Sequence, residues 1–443
     1  VVFDTTILGS NPSAPAKKMK TAVFNNKLIK NIIKKLFPFY DSKEIKELFN
    51  ILQGSYSKEK KVAMFVGGCV RKHLENEDVD DIDIATIHTP DELKNLFKDT
   101  NVRLVETGVE HGSVTLFLNK VKFEVTTLRK DLKTDGRHAQ VSYTDDWQID
   151  SNRRDFTINS IYMNQKGKIF DPQSGLNDLK NKTVKFIGDP AKRIEEDYLR
   201  IIRFIRFTIQ YNSEIEIYTN DVIKLNLNNI KNISKERILN ELFKIISLKN
   251  FKNILINKDI KKIFSLIFPE LKYLDRLEKI SLLPKNFKLK NYLILSIMLL
   301  DHTDNHEYFC HKYKVSNEIK KKLKLFADFV NKYHFEKNNF QKDLLKNTYF
   351  YGKDNLKNIC TLLYFFNKKF NLEELLKVIK KIEKISIPSF PYDGNYLKKM
   401  GYKEGKEIGF ILKKLEIEWI ENNFTLGEES LKQIIKNPLI KYN

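Results

Sequence analysis

Two patterns of apolar and polar positions divide the chain. From about Lys61 to Phe186, apolar residues alternate with polar ones or run in short blocks, as in VAMFVGG, DIDIAT, VTLFL and VKFEVTTL. Gly and Asp punctuate these runs, which carry the period-two signature of strands. Beyond Pro190, Leu, Ile and Phe recur at helical spacing within Lys- and Asn-rich stretches almost to the end. That is the signature of amphipathic helices. The expected fold class is therefore α+β, a mixed-sheet head followed by an all-helical remainder. Residues 1–24, with Gly, Ser, Pro and Ala around Gly9–Ala16, read as a loose N-terminal extension. The longest apolar run, Tyr292 to Leu300 with one Ser, falls far short of the roughly 18 residues of a membrane helix, so no membrane partner is expected.

Charge changes this picture. The chain has 443 residues, 78 Lys and Arg against 57 Asp and Glu, and a net charge of +21. A chain that basic meets polyanions, above all nucleic acid. Part of the excess follows from a composition rich in Lys, Asn and Ile. Hydrophobic residues are 42% of the total, which excludes wholesale disorder. Three cysteines in this length cannot form a disulfide framework. A reducing compartment is expected, and with no targeting pattern, the cytoplasm.

Candidate chemistry lies in FVGGCVRKHLENEDVDDIDIAT. A strand (Val62–Val66) runs into Gly67 and Gly68 and then a short helix carrying Arg71. Two glycines let backbone N–H groups approach a ligand closely. Asp81 and Asp83 alternate with Ile82 and Ile84, so on a strand both carboxylates share one face. Carboxylates held side by side repel unless a cation joins them, the demand of a divalent-metal site such as one for Mg²⁺. A third carboxylate comes from VKFEVTTLRKD, where Glu124 shares a face with Lys122 and Thr126, opposite Phe123 and Val125. Asp-x-Asp alone reads as a solvated strand end. With G-G-x-V-R upstream and Glu124 downstream, it predicts two-metal phosphoryl or nucleotidyl transfer.

GGCVR…DDIDIAT, FEVTTLR, DGRH, RRDFTINSIYM, DPQSGLNDL and EEDYLRIIRFIRF follow one another between about Phe65 and Phe207. This series resembles the class II tRNA nucleotidyltransferase family, the CCA-adding enzymes, whose relatives include bacterial poly(A) polymerases. The resemblance continues more weakly through ISKERILNELFKII. It implies a nucleotidyltransferase head over 25–180, a helical neck over 181–246, a body over 247–330 and a tail over 331–443. The implied reaction is Mg²⁺-dependent addition of C-C-A to the 3′ end of tRNA from CTP and ATP.

The resemblance also implies roles. Asp81 and Asp83 match the catalytic, metal-binding pair and Glu124 the third carboxylate. Gly67, Gly68 and Arg71 match the triphosphate cradle. Arg153, Arg154, Asp155 and Asn159 match R-R-D-x-x-x-N, which contacts ribose and triphosphate. Leu128 to Val141, with Asp135, Arg137 and His138, matches a flexible loop tied to adding the terminal A. Asp171, Gly175 and Asp178 match a segment joining head and neck. Glu196, Asp197 and Arg200 match the nucleotide-selecting motif, with Arg203 a further phosphate contact. One departure is Lys72, where the family has Asp, which implies altered local hydrogen bonding.

Residue chemistry supports base reading by Asp197 and Arg200. Asp189 and Pro190 predict a helix start, and the helix is expected to run to about Ile209. Arg193, Glu196, Asp197, Arg200 and Arg203 then share one wall. Cytosine and adenine present an amine donor beside an unprotonated ring nitrogen. Asp197 can accept from the amine and Arg200 can donate to the nitrogen. Uracil and guanine present the reverse, and each unpaired buried group costs ~1–3 kcal/mol.

The basic helices beyond 246 suit a surface gripping the acceptor and T arms of tRNA through phosphates, without reading sequence. His302, His306 and Cys310 would fall on one face of a helix, but no second cluster supports a metal there, and they read as structural. Cys69 reads as a small packing residue. Addition of C-C only, poly(A) synthesis and a catalytically silent RNA-binding protein are the competing expectations. The loop segment around Asp135–His138 speaks against the first, and the presence of Asp81, Asp83 and Arg200 against the last. The sequence carries no signal for an oligomeric state.

Overall fold

The computed structural model describes residues 38–135, 138–333, 341, 343–367 and 370–436. The extension expected at 1–24 lies outside them. The chain divides into two compact units, one ending at Leu179 and the other running from Lys180 onward, with Thr134 and Asp135 grouped in the second.

In the first unit, α1 (Lys43–Gln53) begins where the Ser42 hydroxyl accepts the Ile45 N–H, and it buries Ile45, Leu48, Phe49 and Leu52. Next come β1 (Ala63–Val66), α2 (Gly68–Leu74), β2 (Ile82–Thr86), α3 (Pro90–Phe97), β3 (Arg103–Gly108), β4 (Ser113–Leu118) and β5 (Val121–Thr127). β6 (Arg129–Asp135), β7 (His138–Tyr143), α4 (Trp147–Arg153), β8 (Tyr162–Met163), β9 (Ile169–Phe170) and α5 (Gly175–Lys180) follow. A seven-stranded sheet has the order β3-β4-β5-β2-β1-β8-β9, and β6 and β7 form a separate pair. β2 and β5 run parallel, which requires the long crossover through α3, β3 and β4. The pairs β1–β2, β1–β8, β3–β4, β4–β5 and β8–β9 are antiparallel. The sheet is mixed, as the alternating pattern predicts for the head.

Alternation shows directly on β5, where Phe123, Val125 and Thr127 are buried while Lys122 and Glu124 are exposed. Met64, Val66, Ala85, Leu128, Trp147 and Tyr162 form one buried cluster. RRDFTINSIYM does not open a helix. α4 ends at Arg153, Arg154 is extended, and only Thr157–Asn159 make a single 3₁₀ turn. The physical reason is local: the Asp155 carboxylate accepts the Phe156 N–H at 2.9 Å. Short acidic side chains compete in this way with helical hydrogen bonding.

Past Lys180 the described chain is helical, with no strand among its described residues. α6 (Pro190–Glu196), α7 (Leu199–Tyr211), α8 (Ile217–Asn226) and α9 (Lys235–Ile246) come first, and further helices reach Lys436. The continuous helix predicted from Pro190 to about Ile209 is two. Asp197 is extended at φ −158°, ψ 105°, and its carboxylate accepts the Leu199 N–H at 3.1 Å, where the second helix begins. The helix Asn305–Lys312 starts after His302, so His302, His306 and Cys310 share no helix face. No described helix is long and apolar enough to cross a membrane.

Candidate active site

The parallel pairing of β2 with β5 sets Asp83 directly opposite Glu124. Paired residues on neighbouring strands project from the same face, about 4.8 Å apart along the hydrogen-bonding direction. Asp83 is half-buried, and Asp81, just before β2, is exposed. Burial pushes the Asp83 carboxyl up to about 6, with Glu124 and Asp81 adding to the push and Arg154 and Arg71 opposing it. Repulsion among these carboxylates is the electrostatic demand that a divalent cation answers, and hard oxygen donors suit Mg²⁺. Among the described residues, no three His, Cys, Asp or Glu side chains are gathered closely enough to hold a metal ion together. Glu124 instead pairs with the Lys122 ammonium at 2.6 Å.

The glycine turn faces the same corner. Gly67 has φ +71°, a conformation that favours glycine, and a Cβ on Gly67 or Gly68 would lie 3.7 or 3.8 Å from Asp83 Oδ2. Cys69 behind it is buried, its thiol pushed up to about 12 chiefly by that burial. Arg71 is buried as well, and its Nη1 donates to Asn159 Oδ1. Asn159 Nδ2 donates in turn to Asp155 Oδ1 at 2.9 Å. The structure thus brings Arg71, Asn159 and Asp155 into one chain of hydrogen bonds.

Asp150, which sequence reasoning did not single out, lies beneath the two arginines. It pairs with Arg153 at 2.8 Å and Arg154 at 3.0 Å and has no exposed side-chain surface. Burial alone would raise its carboxyl, but Arg154, Arg153 and the Tyr162 hydroxyl hold it well below the usual carboxylate range. Only the carboxylate three residues before Arg153 hinted at this. Asp171 accepts the N–H groups of Gly175 and Leu176, at 2.8 and 2.9 Å. Asp178 accepts the Thr157 hydroxyl at 2.7 Å. A Cβ on Gly175 would meet the Thr157 carbonyl oxygen at 2.1 Å, so this approach needs glycine. The segment therefore braces the turn that carries Asn159.

Lys72 forms an ion pair with Asp80, the residue before Asp81. Among the loop residues, Asp135 ends β6 and His138 begins β7, while Arg137 lies outside the described residues.

In the second unit, Asp197 and Arg200 are committed to internal partners. Asp197 Oδ2 accepts from Arg237 Nη2 of α9 at 2.7 Å. Arg200 Nη1 donates to Glu196 Oε2 and to the Arg193 carbonyl at 2.8 Å. Arg203 lies 3.8 Å from Glu241 of α9, a buried carboxylate that also pairs with Arg206 at 2.8 Å. Arg237 and Glu241 were missed from sequence because they sit one helical turn apart on a helix distant in the chain.

Comparisons with known proteins agree with this organisation. Residues 63–185 match the family described as Poly A polymerase head domain. Residues 214–274 match that described as probable RNA and SrmB- binding site of polymerase A. The human protein named CCA tRNA nucleotidyltransferase 1, mitochondrial is 33% identical over 86% of this chain and 88% of its own. A Streptococcus agalactiae protein named CCA-adding enzyme is 30% identical over 85% of this chain and 93% of its own. The fold is that of the Bacillus stearothermophilus CCA-adding enzyme solved with CTP, at a TM-score of 0.66 and 20% identity, over 90% of this chain and 98% of the other. The Thermotoga maritima CCA-adding enzyme solved with tRNA gives a TM-score of 0.58 at 21% identity, over 92% of this chain and 98% of the other. On the extent of these matches, the chain belongs to the class II CCA-adding tRNA nucleotidyltransferase family.

Proposed function

We propose that this protein adds C-C-A to the 3′ end of tRNA from CTP and ATP, without a nucleic-acid template, releasing pyrophosphate. The observation that carries the reading is the corner made by Asp83, Glu124 and the Gly67–Gly68 turn, in a chain whose relatives bear that activity in their names. Asp81 and Asp83 would hold divalent ions, for which we propose Mg²⁺. Such ions supply charge neutralisation for the triphosphate and activation of an attacking hydroxyl. Glu124 is the third carboxylate of the corner. Gly67, Gly68 and Arg71 cradle the triphosphate. Arg154 contacts phosphate, while Asp155 and Asn159 accept from and donate to the ribose hydroxyls, favouring ribonucleotides. Asp197 and Arg200 read the base by the acceptor–donor pattern that C and A share, after exchanging Arg237 and Glu196 for the nucleotide. Arg203 adds a phosphate contact, and the basic helical remainder grips the acceptor and T arms through their backbone.

Three buried free cysteines suit a reducing compartment. We place the protein in the cytoplasm, and imaging of a tagged chain tests this against the mitochondrial setting named for the human relative.

The decisive experiment supplies purified protein and Mg²⁺ with a tRNA transcript ending at its discriminator base. CTP, ATP, both, or all four nucleotides are added and the 3′ ends sequenced. Ends reading C-C-A establish the reading. Arrest at C-C, a long A tail, or no extension with retained tRNA binding each overturns it.

A further inference from the structure

We infer that Asp150 is a positioning residue for the incoming nucleotide: its buried carboxylate fixes the Arg153–Arg154 pair in the orientation that the triphosphate meets. The inference rests on the nucleotide-binding reading of the R-R-D segment given above.

Asp150 lies in the last turn of α4. Its Oδ1 accepts from Arg153 Nε at 2.8 Å and, more distantly, from the main-chain N–H of Arg129 at 3.4 Å. Its Oδ2 takes three donors: Arg154 Nε at 3.2 Å, Arg154 Nη2 at 3.0 Å and the Tyr162 hydroxyl at 2.7 Å. The Tyr162 oxygen also accepts from Arg154 Nε at 3.0 Å. Arg154 is thus held along one edge, through both Nε and Nη2. That fixes the plane of its guanidinium and not merely its position.

Planarity is the property at stake. A guanidinium meets a phosphate through paired, coplanar N–H groups, so its orientation decides the quality of the contact. Two adjacent guanidiniums repel, and a carboxylate between them relieves this only at a desolvation cost. A buried ion network of this kind is a poor source of stability, so orientation is the better account of its presence.

The network also reaches the glycine turn. Tyr162 of β8 is the register partner of Val66 on β1. Val66 immediately precedes Gly67. The Asp150–Tyr162 contact therefore ties the R-R-D segment to the strand that ends in the phosphate cradle. Arg154, for its part, lies within electrostatic reach of Asp83. A single buried carboxylate accordingly sets the relation between the arginines and the carboxylate corner.

The test compares wild-type, Asp150→Asn, Tyr162→Phe, Arg154→Ala and Asp150→Asn/Arg154→Ala proteins by steady-state extension of tRNA and by equilibrium dialysis of CTP. Asp150→Asn keeps the shape but turns an amide toward guanidinium donors. It is expected to raise KM for CTP and ATP by about tenfold, with kcat and KM for tRNA far less affected. Tyr162→Phe keeps the buried ring and is expected to give a rise of roughly twofold to fivefold. The double variant is expected to lose less than the two single effects combined, because Asp150 acts in part through that arginine. Nucleotide KM unchanged in folded variants overturns the inference. So does a loss of kcat for every substrate at normal KM, which marks fewer folded molecules. Independent effects in the double variant overturn it too. Should Asp150→Asn fail to fold, Tyr162→Phe decides by the same criterion. A wild-type protein that extends no tRNA sinks the functional reading. An active wild type with insensitive variants sinks only the role of Asp150.

Discussion

Asp83 and Glu124 face each other across two parallel strands, and burial with the charge of Glu124 lifts the Asp83 carboxyl to about 6. The folded chain therefore takes up a proton at Asp83 at a pH where the unfolded chain has lost it. Between the ordinary value of 3.8 and about 6, folded molecules bind more protons than unfolded ones, so stability falls as pH rises through that window. In chelator-treated protein, Asp83→Asn is expected to remove this fall and to be the more stable form above the window. Mg²⁺ should raise the melting temperature of the wild type but not of the variant. Melting curves on both sides of the window, with and without Mg²⁺, check both statements. A variant with the same pH dependence as wild type refutes them.

The same corner separates binding from chemistry. Asp83→Ala is expected to abolish transfer while tRNA binding, which we propose for the basic helical remainder, stays within about twofold. Extension assays beside filter binding distinguish the two. Near-normal turnover would remove Asp83 from catalysis.

Much of this arrangement was legible in the chain, for physical reasons that differ by element. The period-two run Ile82–Thr86 that carries Asp83, and the burial alternation around Glu124, are properties of single strands and can be read locally, whereas Asp81, expected on the same strand, precedes it. That Asp83 lies opposite Glu124 depends on a parallel pairing across a crossover, which no local pattern encodes. The break at Asp197 was hidden because Ile194, Leu199, Ile201, Ile202 and Ile205 keep helical spacing across it, while the break itself goes with one carboxylate that binds the Leu199 N–H. RRDFTINSIYM likewise stays out of a helix, since Asp155 binds the Phe156 N–H. Asp150 escaped notice because one of its partners, Tyr162, arrives from another element.

Arg200 sits between Glu196 and the Arg193 carbonyl, a restrained position for a residue proposed to read bases. Arg200→Ala is expected to raise incorporation of UTP and GTP relative to CTP and ATP by about tenfold or more, since one donor–acceptor match is worth ~1–3 kcal/mol. Affinity for tRNA should change little. Arg237→Ala frees Asp197 Oδ2 and is expected to relax the same discrimination more weakly. Competition assays with all four nucleotides check this, and unchanged discrimination in both variants would refute base reading by this pair.

Gly175 lies so close to Thr157 that a Cβ would stand 2.1 Å from its carbonyl oxygen. Backbone on both sides leaves little room to yield. Gly175→Ala is expected to cost roughly 1–3 kcal/mol or more, lowering the melting temperature and disturbing the turn that carries Asn159. Thr157→Val swaps the hydroxyl bonded to the buried Asp178 carboxylate for a methyl and should cost about 1–3 kcal/mol, by leaving that carboxylate unmet. A Gly175→Ala loss well below that of Thr157→Val would mean that the hydrogen bond, and not the close approach, organises this junction.

Lys72 stands where the family has an aspartate, and here it pairs with Asp80, one residue before Asp81. The ammonium thus serves as local counter-charge at the entry to the carboxylate strand. Lys72→Asp would place two carboxylates face to face beside Asp81. Because the Asp80 side chain is 71% exposed, the stability loss should stay below about 1 kcal/mol. Activity should fall further than stability, since added negative charge near Asp81 also repels the triphosphate. Exchanging the partners as Lys72→Asp/Asp80→Lys restores the pair and should recover most of kcat/KM. If the single variant is fully active, the pair has no hold on the carboxylates. If the exchange recovers nothing, the ammonium matters at position 72 itself, as a direct contact to the nucleotide and not as a brace for Asp80.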